Sequence, residues 1–312
     1  MSSPTQTPLA GSFKNILFAT DFSECSRAAL PHLRSIAERF GSTIHVIHVL
    51  APEPMLEVPL DFPPALDSDH EAAQAALDRL LASKPFGEIA CTATIDRGPL
   101  WEVLAAIIEE KHIDLVVLGT HGRRGLKKLV LGSVAEDVFR HAPCPVLTVG
   151  PQAANERAAQ SKMATILFAT DLSAGSHHAL PYAVSMARAN NAHLILLHVV
   201  PATLEIASVD FTVGPAIAEV PTEFIAEALG TARRQMAELI SAENMQGLKP
   251  EVIVECGLAP ETILSVAKDK EAKLIVMSAH RASDKSIVSH LPWATASMVV
   301  CEAHCPVLTV RD

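Results

Sequence analysis

Residues 119 to 133, GTHGRRGLKKLVLGS, set Gly119, Gly122, Gly132 and Ser133 around Arg123, Arg124, Lys127 and Lys128, directly after the apolar run IDLVVL. Glycine carries no Cβ, so successive backbone N–H groups at such positions can close on a phosphate as an anion-binding concavity. Gly132 and Ser133 precede the helical pattern VAEDVFRH, which aims first-turn N–H groups and the positive end of the helix dipole at the same anion. Ser133 could add a hydroxyl hydrogen bond or cap that helix. A lone GxxG marks an ordinary turn. Here GxxG follows a buried strand, nine residues intervene, and Gly-Ser opens a helix, which favours phosphate over the turn. The arginines and lysines read first as a solvated face. Direct phosphate contact by Arg123 and Arg124 is the second reading.

A second reactive position is Thr20-Asp21-Phe22-Ser23, after the apolar run NILFA. Asp21 stands where a ligand would meet the exit of that strand. His121 and His280 stand at strand-to-loop junctions, whereas His48 and His198 sit inside apolar strands. Repetition of the latter pair suits a role in the fold. CEAHC at 301 to 305 lacks a fourth zinc ligand, and HEAAQ at 70 to 74 lacks the second histidine of a zinc protease. The chain has no GxxxxGK[ST], GxGxxG or GxSxG, which removes the main support for P-loop, dinucleotide and serine-hydrolase readings.

The elements that must position these residues occur twice. NILFATDFS at 15 to 23 matches TILFATDLS at 165 to 173, and IHVIHVL matches LILLHVV, at an offset of 150. DRGPLWEVLAAIIEEKHIDLVVLGTHG matches ECGLAPETILSVAKDKEAKLIVMSAHR at an offset of 159, and CPVLTV closes both halves. This divides the chain into domains at 13–150 and 163–312, with PQAANERAAQSK (151–162) as linker. In the first half, strands are expected near 15–20, 44–50, 89–96, 114–118 and 145–149, with helices near 24–40, 67–83, 99–111 and 132–141. Continuous apolar runs alternating with helical patterns predict a parallel, doubly covered sheet, the α/β class. Ligands of such sheets bind beyond the carboxyl ends of the strands where strand order reverses. Segments 51–66 and 201–221 interrupt the pattern as surface excursions, or as lids or partner surfaces.

A formal net charge of −10 argues against a general nucleic-acid binder. The amino-terminal stretch lacks a signal-peptide pattern, and no apolar run approaches membrane-span length. Six cysteines without a CxxC pair suit a reducing compartment. The expectation is a soluble, cytoplasmic protein.

GxxG, nine residues, then Gly-Ser, with TDxS after the first strand and a closing CPVLTV, resembles the universal stress protein family in its tandem form. The resemblance implies two doubly wound five-stranded parallel sheets of order 3-2-1-4-5, Rossmann-like and similar to the adenine nucleotide alpha hydrolases. It implies ATP or ADP in the first half, with Asp21, Val49, Leu118 and Gly119 around the adenosine and Gly122, Gly132, Ser133 and Val134 on the phosphates. Any Mg2+ or Mn2+ would bridge phosphates. The second half keeps Asp171 and Val199 but has Ser278 and Arg281 for Gly119 and Gly122, and Trp293 and Ala294 opposite Gly132 and Ser133. It is therefore expected to be a degenerate site, with Arg281 in the phosphate position or on a smaller anion. The resemblance further implies an intramolecular pseudo-dimer through the closing strands, and a homodimer of chains. The expected role is a stress-linked sensor or regulatory module; a slow ATP hydrolase or phosphotransferase and a nucleotide-independent scaffold are the alternatives.

Overall fold

The computed structural model describes residues 12–52, 66–120, 132–153, 163–201, 203–205, 217–219, 222–242, 245, 247–279 and 290–311. The chain divides into two compact units: Met1–Ser161 with Val300–Thr309, and Lys162–Val299 with Val310–Asp312.

In the first half, β1 (Asn15–Ala19), α1 (Glu24–Arg27), α2 (Leu30–Phe40), β2 (Thr43–Leu50), α3 (Leu66–Ala82) and β3 (Cys91–Arg97) come first. Next come α4 (Leu100–Glu110), β4 (Leu115–Gly119), α5 (Ser133–His141) and β5 (Val146–Val149). The strands run in the order β3-β2-β1-β4-β5, all parallel. This is the expected 3-2-1-4-5 order, and its reversal lies between β1 and β4. Burial follows the apolar runs: Ile16, Leu17 and Phe18 of β1 and Leu115, Val116 and Val117 of β4 are fully buried, as strands covered on both faces must be. The edge strand β3 shows alternating exposure instead. At the opposite end of the sheet, the Asp114 carboxylate accepts from the backbone N–H groups of Lys14 (2.6 Å) and Asn15 (3.2 Å), setting β1 beside β4.

The helix expected over 24–40 is broken. Pro31 lies in the first turn of α2, where a missing N–H costs no helical bond. Ala29 N–H instead reaches Ser26 O (3.1 Å), a tighter i to i+3 turn.

The second half comprises β6 (Thr165–Thr170), α6 (Ala174–Asn190), β7 (His193–Pro201), β8 (Thr203–Glu205), β9 (Ile217–Glu219), α7 (Thr222–Ala242) and β10 (Glu251–Gly257). It ends with α8 (Ala259–Asp269), β11 (Leu274–Ala279), α9 (His290–Glu302) and β12 (Val307–Arg311). Its order, β10-β7-β6-β11-β12, repeats that of the first. Here the first helix continues through Pro181 without a break. The segment read as a surface excursion contributes the antiparallel pair β8–β9; residues 206–216 and the counterpart 53–65 lie outside the described residues. Within the first unit, Val307, Leu308 and Thr309 of β12 pair antiparallel with Thr148, Leu147 and Val146 of β5, the edge partner expected for an apolar closing strand. Among the described residues no helix is long and apolar enough to cross a membrane.

Candidate functional site

The chain leaves β1 through a turn whose side chains satisfy its own backbone. Thr20 Oγ1 accepts from Phe22 N–H (3.0 Å) and Asp21 Oδ1 accepts from Ser23 N–H (3.0 Å). Ser23 Oγ then caps α1 by accepting from Ser26 N–H (3.2 Å). These bonds hold Phe22 at φ 61°, a left-handed conformation that is costly for a bulky residue. The second half repeats the turn: Leu172 is at φ 63°, Thr170 and Asp171 accept from Leu172 and Ser173, and Ser173 caps α6. The repeated histidines brace it. His48 Nδ1 donates to Thr20 O (2.7 Å) and His198 Nδ1 to Thr170 O (2.8 Å), while the His48 ring lies against Phe22 at a centroid distance of 4.6 Å. They serve the fold.

Gly119, at the end of β4, meets this turn. A Cβ there would lie 2.7 Å from Cys25 O, 2.8 Å from Cys25 C and 3.0 Å from Ser26 N. The strand exit and the α1 backbone thus touch with no room for a side chain, which joins the Asp21 turn to the start of the glycine segment. Thr120 N–H donates to Val149 O (3.1 Å), and Gly132 N–H returns to Thr120 O (2.9 Å). Hence α5 starts directly over the exit of β4. Gly132 is its N-cap and supplies no side-chain cap, so this position leaves first-turn N–H groups that a ligand or solvent can meet.

Of the expected site residues, Asp21, Val49, Leu118, Gly119, Gly132, Ser133 and Val134 all fall at carboxyl ends of strands or at the start of α5. Leu118 is only 1% exposed, so a ligand would meet its backbone and not its side chain. Val134 is 43% exposed at the first turn of α5. His121, Gly122, Arg123, Arg124, Lys127 and Lys128 lie outside the described residues, as do His280 and Arg281. Burial, reinforced by Asp21 and Glu24, pushes the Cys25 thiol pKa up, so Cys25 is a poor nucleophile beside this turn. Among the described residues no group of three or more His, Cys, Asp or Glu could hold a metal ion.

Sequence reasoning missed two participants, Ser26 and Ser176. Ser26 Oγ lies 2.7 Å from Thr20 Oγ1. Ser176, its counterpart, donates to Asp171 Oδ1 (2.5 Å) and lies 3.1 Å from Ser278 Oγ. The signal was present, because Ser26 and Ser176 occupy the same place in the repeat, but identical residues conceal different partners. A separate groove of about 410 Å³ in the second unit, between β7 and α7, is lined by His198, Val200, Phe224 and neighbours and includes neither Asp171 nor Ser278.

The model of the universal stress protein family matches residues 12–150 and 163–311. Universal stress protein MJ0531 of Methanocaldococcus jannaschii is 34% identical over 140 residues, covering 44% of this chain and 82% of that protein. A universal stress protein of Thermus aquaticus is 35% identical over 138 residues, 44% of this chain and 98% of its own length. Among solved structures, a universal stress protein from Archaeoglobus fulgidus superposes with a TM-score of 0.68 at 22% identity, across 97% of this chain and 98% of that one. At that identity the likeness concerns the fold.

Proposed function

The chain belongs to the universal stress protein family, and from that premise we propose that its first half binds an adenine nucleotide, ATP or ADP, as a sensor or regulatory module. The observation that carries this reading is the contact of Gly119 with the backbone of Cys25 and Ser26. It sets Gly119 against the Asp21 turn at the reversal of strand order, with Gly132 and the start of α5 returning to the same strand exit, the place where ligands of such sheets bind. Asp21 would accept from the adenosine, and the first-turn N–H groups of α5 would meet the phosphates. A divalent ion, Mg2+ or Mn2+, would be held by the phosphates, since ions of this kind often keep waters and rely on phosphate oxygens.

Nucleotide released by denaturing freshly purified protein tests the reading. About one per chain is expected, in the first half alone. Two per chain would refute the asymmetry, and none would favour a nucleotide-independent scaffold. Asp21→Ala should weaken nucleotide binding roughly 10- to 100-fold in titration calorimetry, the range for losing hydrogen bonds to a charged acceptor. Phosphate release from ATP that survives purification and is lost with Asp21→Ala would favour a slow hydrolase. Native mass spectrometry counts nucleotides and chains in one sample.

A further inference from the structure

The groove between β7 and α7 is open because short side chains stand where longer ones would close it. Phe224, Ala228, Thr231 and Gln235 occupy positions i, i+4, i+7 and i+11 of α7, a stripe beside the buried Ala232, Met236 and Leu239. Ala228 and Thr231 do not fill the space over Val200 and Pro201, which leaves about 410 Å³, a volume that suits a small organic ligand. On the strand side, His198 and Val200 share one face of β7, while Val199, the counterpart of Val49, takes the other. The groove is therefore separate from the crevice at Asp171. In the first half the Phe22 ring lies against His48 at 4.6 Å; Leu172 stands in that place in the second half, and His198 lines the groove.

The lining favours a ligand that brings donors and positive charge. His198 Nδ1 donates to Thr170 O (2.8 Å), so the other nitrogen of the neutral ring is an acceptor. Glu227 lies on the wall and has no ion pair among the described residues. Neither Lys nor Arg is among the residues that line the groove; Arg234 stands off the wall, and its Nη2 donates to Thr231 Oγ1 (3.0 Å). The rim is apolar. Phe224 is 62% exposed, and Leu258, next to the Gly257 that pairs with Pro201, is 53% exposed, so large apolar groups gather at this end of β7 and β10.

We infer that this groove is a binding site for a small aromatic amine. The apolar body of the ligand lies between Phe224 and the floor made by Val200 and Pro201, and Glu227 and the acceptor nitrogen of His198 take the donors of its ammonium group. A cation near the Phe224 ring face gains a further attraction. A carboxylate or phosphate in the same place would set its charge against Glu227 and an imidazole lone pair, and is disfavoured.

Calorimetric titration of the full chain with tryptamine, and with indolepropionate, which carries a carboxylate in place of the ammonium, tests this. Tryptamine should saturate a single site, and indolepropionate should bind at least about fivefold more weakly, as an exposed ion pair becomes a repulsion of similar size. Glu227→Gln should weaken tryptamine by up to about fivefold, the scale of one exposed ion pair, and leave indolepropionate no weaker. Phe224→Ala should weaken both by about tenfold through the lost ring contact. Both side chains are exposed, so Tm should stay near wild type in these variants. Ala228→Leu puts a good helix former into the groove and should abolish saturable binding without lowering Tm. Indolepropionate binding as tight as tryptamine, or tighter and lost with Arg234→Ala, would overturn the inference. So would tryptamine binding that persists in Ala228→Leu, or its absence from the wild-type chain. The groove shares no residue with the Asp21 turn or with α5, so nucleotide content should be unchanged in every variant, and the outcome does not depend on the nucleotide reading.

Discussion

A chain carrying Gly119→Ala is expected to melt several degrees below wild type and to leave purification without bound nucleotide, whereas Gly257→Ala should change neither. Both substitutions add one methyl group at a strand end. At Gly257 the new Cβ would lie 2.7 Å from Thr262 Oγ1, the end of a side chain that can rotate away. At Gly119 it would lie 2.7 Å from Cys25 O and 3.0 Å from Ser26 N, which are backbone atoms of α1. That backbone is held by the Ser23 cap and the Asp21 turn, so relief requires moving α1 off β4. Overpacking of this kind costs about 3 kcal/mol, and at roughly 2–4 °C per kcal/mol the loss is readily seen by calorimetry. Displacing α1 also moves Asp21 away from the start of α5, so nucleotide content and Tm fall together. Gly119 has no left-handed φ; its requirement is space. Wild-type melting with full nucleotide content in Gly119→Ala would remove the contact from both fold and site.

Much of the architecture could be read from the chain because its causes are local. Continuous apolar runs marked the buried strands, the repeat gave each half the same order, and TDxS with the glycines marked the two strand exits that β1–β4 adjacency brings together. The rest depended on distances of a few tenths of an ångström or on weak patterns. Ser26 and Ser176 are the same residue at the same place, and what stands opposite, Gly119 or Ser278, decides their partners. Three-residue strands such as Thr203–Glu205 and Ile217–Glu219 are too short to show alternation. The break between α1 and α2 also escaped notice, because the second half carries the equivalent proline through a continuous helix.

His32 shows a further cost hidden from sequence, and it sets the expected acid response. The ring, on α2, is 7% exposed. It hydrogen-bonds the backbone of Ala153, and its Nε2 has no hydrogen-bond partner among the described residues. Burial pulls its pKa from 6.5 down to about 4, against the smaller opposing effect of the Ala153 bond. The folded chain therefore keeps the ring neutral where the unfolded chain takes a proton. Its contribution is intact above pH 6.5, declines as the pH falls through the interval to about 4, and then levels off. The shift corresponds to roughly 3 kcal/mol across that window. Tyr182 occupies the equivalent place in the second half, so His32→Tyr is the natural variant, with His32→Leu as a smaller alternative. Carboxylates elsewhere titrate alike in both chains, so the difference between wild type and variant isolates the imidazole. In urea titrations at pH 7 and pH 4, wild type should lose about 3 kcal/mol more than either variant. Parallel losses would show that His32 is protonated in the fold as readily as outside it.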